Sequence, residues 1–173
     1  MNENDSKNIC CFVGHRKVVE EDEIRNMLYT IIEKLIINHD VDTFLFGSKS
    51  CFNSLCYQTV SELKEKYHHI KRVYVRAEFP YIDELYKDYI LQKYEDSYYP
   101  EHLVRAGKSV YIERNIEMLD QSQYCIVYYN ENYKPPRRKK SIKDLTDYQP
   151  KSGTKIAYEY AVKHRKNVIN VFK

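Results

Sequence analysis

Short apolar runs alternate with amphipathic segments along the whole of this 173-residue chain, and no other feature constrains its fold as strongly. The apolar runs predict five β-strands, at residues 9–14, 41–47, 71–77, 124–129 and 167–172. The segments between them predict helices at residues 21–38, 53–68, 81–94, 109–120 and 152–164. Strands that alternate with helices are typical of an α/β fold around a mostly parallel sheet.

The predicted connections also indicate how the strands are arranged. Right-handed crossovers favour a Rossmann-like, doubly wound sheet of five strands in the order 3-2-1-4-5, with helices on both faces. The apolar runs 9–14 and 41–47 suit central strands, the polar alternation in 71–77 suits an edge strand, and the residues around Tyr98 suit a loop. We expect a single domain over residues 1–173, with a polar tail at 1–8 and a long polar loop at 130–151.

Ligands of such sheets bind beyond the carboxyl ends of the strands, where the strand order reverses. The residues predicted to reach this position are Gly14, His15 and Arg16 after the first strand, Gly47, Ser48 and Asn53 after the second, and Ser152, Gly153 and Thr154 at the start of the last helix. A helix start presents unpaired N–H groups to a phosphate, and an arginine can hold a phosphate or carboxylate through two hydrogen bonds. The sequence therefore predicts a crevice for an anionic ligand.

Several kinds of site are not supported by the sequence. Neither the Walker A pattern nor the GxGxxG fingerprint occurs, which argues against a P-loop NTPase and a standard dinucleotide enzyme. The five cysteines show no CxxC or Cys/His ligand spacing, so we expect no metal site and no other cofactor. Cys10 and Cys11 should point to opposite faces of the first strand, and Cys51, near a helix start, is a remote candidate for an activated thiol.

Charge and hydropathy bear on partners and location. The formal net charge of +3 argues against a nucleic-acid partner without eliminating one. The first residues lack the apolar core of a signal peptide, and no apolar run approaches the ~20 residues that span a bilayer, so we expect a cytoplasmic protein with no membrane partner. The tyrosine-rich segment between residues 81 and 99 is a candidate surface for self-association into a homo-oligomer.

The chain resembles the SLOG superfamily of Rossmann-like proteins, and within it the YpsA-like branch. The matching motifs, which extend over residues 9–172, are Gly14-His15-Arg16, then Arg114-Asn115 with Met118, then Ser152-Gly153-Thr154 followed by Ala157 and Tyr160-Ala161. The resemblance implies a nucleotide or nucleotide-derived ligand and adds Arg114 and Asn115 to the site, although an apolar stripe of Ile112, Ile116 and Leu119 predicts that these two leave the helix on another side. Distant relatives are LOG-type phosphoribohydrolases of nucleoside monophosphates, and one group binds single-stranded DNA.

Two departures from the family pattern bear on catalysis. Where the branch has Gly-x-x-x-Gly-x-Asp after the second strand, this chain has Gly47, Cys51 and Asn53. The hydrolase relatives carry a glutamate at the position of Ala157, so Arg114, which matches their catalytic arginine, lacks its carboxylate. The resemblance therefore favours binding over catalysis and leaves enzymatic activity open.

Three functions remain open from the sequence. The first is binding or sensing of a nucleotide or nucleotide-derived ligand at the carboxyl ends of the strands. The second is N-glycosidic hydrolysis of nucleoside monophosphates, for which Glu78, Glu113 and Glu117 are the candidate carboxylates. The third is a nucleic-acid-interacting module that uses the basic segment 134–143 and exposed tyrosines.

Overall fold

The computed structural model describes residues 8–78, 81–103, 107, 109–135 and 151–173. Within these residues strands and helices alternate as the sequence predicts. The elements are β1 (Ile9–Gly14), α1 (Glu21–His39), β2 (Thr43–Phe46), α2 (Cys51–Lys66), β3 (Lys71–Val75), α3 (Glu84–Leu91), β4 (Asp96–Tyr98), α4 (Ser109–Gln121), β5 (Tyr124–Tyr128), α5 (Gly153–Lys163) and β6 (Asn167–Asn170).

The strands of the described residues form one parallel sheet in the order β4-β3-β2-β1-β5-β6. The five predicted strands keep their predicted relative order, and the Rossmann-like α/β fold is confirmed. β2 and β5 pair with the two opposite edges of β1, so the strand order reverses at β1. The crevice expected at a reversal of strand order therefore lies beyond β1 and β5.

The sheet has one more strand than the sequence predicts. β4 lies where we expected a loop, and it pairs with β3 through Val73 opposite Asp96. The prediction that residues 71–77 form an edge strand is therefore wrong. Three residues are too few to show an alternating pattern, and the polar side chain of Arg72 in β3 is explained by its ion pair with Glu95, at 2.7 Å, beside β4.

The core lies on both faces of the sheet. Cys10 packs with side chains of α1 and α2 on one face, whereas Cys11 packs with side chains of α4 and α5 on the other. This confirms that the two adjacent cysteines point in opposite directions, as alternation along a strand requires. No helix in the described ranges is long and apolar enough to cross a membrane.

The buried face of α4 differs from the predicted one. Val110, Arg114, Met118 and Leu119 are buried, whereas Ile112 and Ile116 are only half-buried. The expectation that Arg114 leaves the helix on a side away from the core is therefore wrong. The reason lies just after β2, where the absent side chain of Gly47 leaves room for the arginine side chain.

Candidate functional site

A crevice of about 170 Å³ opens between the carboxyl ends of β1 and β5 and the first turn of α5. Its lining combines aromatic or imidazole rings with two cations, a hydroxyl and a carboxylate: His15, Tyr129, Tyr133, Lys151, Lys155, Ser152 and Glu131. The position is the one predicted from the reversal of strand order. It joins two of the predicted motifs, the residues after β1 and the start of α5.

His15 forms the link between β1 and the residues that follow β5. Its side chain is buried, its backbone N–H donates to the carbonyl of Tyr128 at 3.2 Å, and its Nε2 accepts from the backbone N–H of Asn130 at 3.0 Å. The imidazole stacks on the ring of Tyr133, with centroids 4.1 Å apart. A nitrogen that accepts a hydrogen bond carries no proton, so His15 is neutral in this arrangement.

Burial lowers the pKa of His15 below its ordinary value, and this predicts a pH-dependent stability. A histidine with a depressed pKa in the folded state is protonated first in the unfolded state, near pH 6.5. Its contribution to stability is therefore complete above that pH and is lost as the pH falls toward the folded-state pKa, by up to about 1.4 kcal/mol per pH unit. We expect His15→Gln, whose amide oxygen can still accept from Asn130, to flatten the fall in the free energy of unfolding between pH 7.5 and 5.5.

Urea unfolding of the wild type and of His15→Gln at each pH measures this difference. His68→Gln, at an exposed position, is the matched control and should leave the wild-type pH dependence in place. Equal pH dependence in the wild type and His15→Gln would contradict the assignment of a neutral acceptor to His15.

The start of α5 supplies the polar wall of the crevice. Ser152 is the N-cap, and its Oγ accepts from the backbone N–H of Lys155 at 3.1 Å. The hydrogen bonds found within the described residues leave the N–H groups of Gly153 and Thr154 open, at the positive end of the helix dipole. A Cβ at Gly153 would have nothing within 4 Å, so this turn is accessible to a ligand.

Two lysines border this helix start. The Lys151 ammonium lies 2.7 Å from the carboxylate of Glu159, and the accompanying hydrogen bond lowers the pKa of that glutamate. Lys155 is half-buried and enters no ion pair among the residues that the structure describes. Among the described residues, Lys155 is therefore a crevice cation that can meet an anion.

The other residues predicted after β1 and β2 lie around the start of α2. Arg16 is exposed, and its carbonyl accepts from the backbone N–H of Cys51 at 3.0 Å. Asn53 is buried, and its side-chain amide donates to the carbonyl of Phe12 at 3.5 Å, so it lies under β1. Ser48, half-buried, follows Gly47 directly and is not part of the crevice lining.

Arg114, Asn115 and Gly47 form a separate arginine cluster. Nη1 of Arg114 donates to the carbonyl of Gly47, and Nε donates to Oδ1 of Asn115 at 3.1 Å. The arginine is only 3% exposed, and burial lowers its pKa to about 10, so it stays charged at neutral pH. Within the described ranges it has no carboxylate at ion-pair distance.

The candidate carboxylates do not converge equally on this arginine. Glu78 lies close enough to oppose the fall in the pKa of Arg114. Glu117 instead accepts a hydrogen bond from Gln121, and its charge adds to the rise in pKa that burial causes at Tyr98 and Tyr160. Ala157 is buried in the apolar cluster of α4 and α5. The position at which the predicted resemblance to hydrolases calls for a glutamate is thus part of the core of this chain.

Cys51 is not an activated thiol. Its Sγ donates to the carboxylate of Glu21 at 3.2 Å, and desolvation together with that carboxylate raises its pKa. A raised pKa leaves less thiolate at neutral pH, so these contacts do not support the remote option of an activated thiol at Cys51. No group of three His, Cys, Asp or Glu in the described part of the chain is placed to hold a metal ion.

Five side chains of the crevice were not predicted from the sequence: Tyr129, Glu131, Tyr133, Lys151 and Lys155. Tyr129 follows β5 as directly as His15 follows β1, Lys151 precedes Ser152, and Lys155 lies one turn beyond Ser152. The positions of Tyr129, directly after a predicted strand, and of Lys151 and Lys155, at a predicted helix start, were the available signal. The predicted basic segment 134–143 lies outside the described residues apart from its first two positions.

Comparison with known proteins gives a likeness of structure only. No protein-family model matches the chain, and none of the curated proteins matches it. Among solved structures it is similar to DNA processing protein A from Streptococcus pneumoniae, at 14% identity and a TM-score of 0.54, over 92% of this chain and 48% of the other. It is also similar to DNA processing protein A from Helicobacter pylori, at 15% identity and a TM-score of 0.56, over 95% of this chain and 65% of the other.

The chain shares the Rossmann-like fold of these proteins. It spans less than two thirds of the length of either. At 14% and 15% identity the likeness shows the fold alone, so the SLOG superfamily, its YpsA-like branch and the likeness to phosphoribohydrolases stay predictions.

The likeness corrects the prediction about nucleic acid. The Helicobacter pylori structure is of a protein that binds single-stranded DNA, which overturns the argument against a nucleic-acid partner. That argument used the net charge of the whole chain. Net charge averages over the surface and does not register a local cation such as Lys155 at a helix start.

Proposed function

We propose that this chain binds single-stranded nucleic acid at the crevice between β1, β5 and α5. The observation that carries the proposal is that Ser152 and Lys155 line one wall, beside the N–H groups of Gly153 and Thr154 that no described residue pairs, while the stacked rings of His15 and Tyr133 line another. A phosphate and a base are the two parts of a nucleotide that these walls suit. The single-stranded DNA binding of a protein with the same fold supports the choice of ligand.

Each wall has a defined part in the proposal. The N–H groups of Gly153 and Thr154 and the ammonium of Lys155 hold a phosphate at the positive end of α5. A base stacks on Tyr133, whose ring is already fixed by His15 on one side. Tyr129, stacked on Tyr158 with centroids 4.4 Å apart, extends the aromatic surface.

The size of the crevice favours a strand over an enclosed nucleotide. Pockets that surround a small ligand measure roughly 300–1,000 Å³, whereas this crevice measures about 170 Å³. A nucleotide bound in this crevice would keep much of its surface outside it. A nucleotide unit within a longer strand is bound in this partly exposed way. Sensing of a free nucleotide and membership of the YpsA-like branch remain the alternative, supported by the order of the motifs from Gly14 to Thr154.

Binding of labelled single-stranded DNA, followed by fluorescence anisotropy at 50 and 200 mM salt, tests the proposal. We expect Tyr133→Ala to weaken binding by about 5- to 150-fold, since stacking of one base is worth about 1–3 kcal/mol. Tyr133→Phe keeps the ring and should bind nearly as well as the wild type. We expect Lys155→Ala to weaken binding and to reduce the salt slope by about 0.7, the value for one phosphate of a single strand.

Lys163→Ala, at an exposed position in the last turn of the same helix, is the matched control and should bind like the wild type. The proposal fails if no binding is seen at 50 mM salt, or if Tyr133→Ala and Lys155→Ala bind as well as Lys163→Ala. Competition by nucleoside monophosphates at concentrations far below those of DNA strands would favour the free-nucleotide alternative instead.

A further inference from the structure

Helix α3 exposes far more apolar surface than it buries. Ile90 is its one buried residue, whereas Leu85 is 81% exposed and Tyr89 is 52% exposed. Tyr81, just before the helix, is 94% exposed. A helix of eight residues is too short to be stable by itself in water, so its stability depends on contacts outside the helix, and only Ile90 supplies a buried one.

The exposed side chains form a continuous stripe. Leu85, Tyr89 and Lys93 follow one another at a spacing of four, which places them on one face. Tyr86 lies beside them, its ring stacked on that of Tyr89 with centroids 6.3 Å apart. With Tyr81, these side chains present roughly 500 Å², if an aromatic side chain is taken as about 200 Å², against about 800 Å² per partner in a standard interface.

Acidic residues at the start of α3 and a lysine beyond its end would meet if two copies of the helix lay antiparallel. Asp83 and Glu84 lie at the start of α3, and Lys93 lies just beyond its end. In a two-fold arrangement the start of one helix meets the end of the other, so the acids of each copy face the lysine of its partner. Antiparallel helices also place opposite dipole ends together. The acids disfavour a nucleic-acid backbone on this face.

We propose that two copies of this chain form a dimer through α3 around a two-fold axis. Leu85 and Tyr89 of each copy pack against the same residues of the other. Lys93 of each copy lies beside Asp83 and Glu84 of the other. This face is separate from the crevice, so the inference does not depend on the proposed nucleic-acid binding.

Sedimentation velocity of the full chain over about 5–200 μM tests the dimer. We expect the wild type to reach twice the chain mass of 20.9 kDa and Leu85→Glu with Tyr89→Glu to remain at that mass. Val162→Glu, at an exposed apolar position on α5, is the matched control and should still dimerise. Far-UV circular dichroism checks that each variant is folded.

A charge exchange keeps the test specific to the antiparallel geometry. We expect Lys93→Glu to weaken the dimer at least tenfold and the added change Glu84→Lys to restore most of the affinity. A wild type that stays monomeric at all concentrations overturns the proposal, as does a Leu85→Glu, Tyr89→Glu variant that dimerises like the wild type. The Leu85→Glu, Tyr89→Glu variant should still bind single-stranded DNA, because its crevice is unchanged. Failure of the dimer proposal can therefore be distinguished from failure of the proposed function.

Discussion

Gly14→Ala is expected to lower the free energy of unfolding by about 1–3 kcal/mol, because overpacking a tight core costs about that much. A Cβ at Gly14 would lie 2.3 Å from the ring of Phe52 and 2.8 Å from its Cβ. Phe52 is fully buried in the first turn of α2, so the ring and the helix start must both move. The melting temperature should fall by about 2–4 °C for each kcal/mol in a chain of this length.

Gly153→Ala is the matched control for this prediction. Its Cβ would meet nothing within 4 Å, and the residue is in the first turn of α5, where alanine restricts the unfolded chain without strain. It should leave stability unchanged or raise it by about 0.4–1 kcal/mol. Urea unfolding of both variants measures the difference, and a Gly14→Ala protein as stable as Gly153→Ala would show that Phe52 can move at little cost.

The contrast between these two glycines shows what a glycine after a strand can mean. Neither has a positive φ, so neither is required by backbone conformation. Gly14 allows α2 to approach the end of β1, whereas Gly153 keeps a helix start open to solvent. The sequence predicts a role for both in ligand approach, but only the packing around each position separates the two roles.

Strand order was predictable because it follows from local patterns. The apolar runs that became β1 and β5 are visible in the sequence, and the right-handed rule for crossovers places β2 and β5 on either side of β1. β4 was not predictable in this way. It has three residues, and its place in the sheet depends on contacts such as the pairing of Arg72 with Glu95, 23 residues apart in the chain.

The candidate site was predictable in part for the same reason. His15 and Ser152 follow or precede regular elements, so their place at the carboxyl edge could be predicted from the order of strands and helices. Tyr133 reaches the crevice because its ring stacks on His15, more than a hundred residues earlier in the chain. No local pattern records a contact over that separation.

Arg114→Ala is expected to lower the free energy of unfolding by about 2–4 kcal/mol. The change removes a long buried side chain, and truncation of such a side chain in a core costs about 2–5 kcal/mol. It also leaves the carbonyl of Gly47 without the guanidinium that donates to it. Removal of the buried charge also removes its desolvation cost, the same cost that lowers the pKa of Arg114. The expected decrease in the free energy of unfolding is therefore smaller than about 5 kcal/mol, the upper end of the range for truncation.

Arg114→Met separates the shape of this side chain from its charge. Methionine fills much of the same space and carries no charge, so the gain from removing a desolvated charge should offset most of the lost hydrogen bond to Gly47. We expect its stability to lie within about 1 kcal/mol of the wild type, close to the range for a volume-conserving exchange. Urea unfolding of both variants checks this, and an Arg114→Met protein as unstable as Arg114→Ala would contradict it.

The result decides what the buried charge is for. If Arg114→Met is nearly as stable as the wild type, packing does not explain why an arginine is present. Its charge would then have a function other than stabilising the fold. The anisotropy experiment with single-stranded DNA then supplies the second measurement on the same protein. A stable Arg114→Met variant that binds several-fold more weakly would assign the charge to the ligand, whereas unchanged binding would separate the arginine cluster from the crevice.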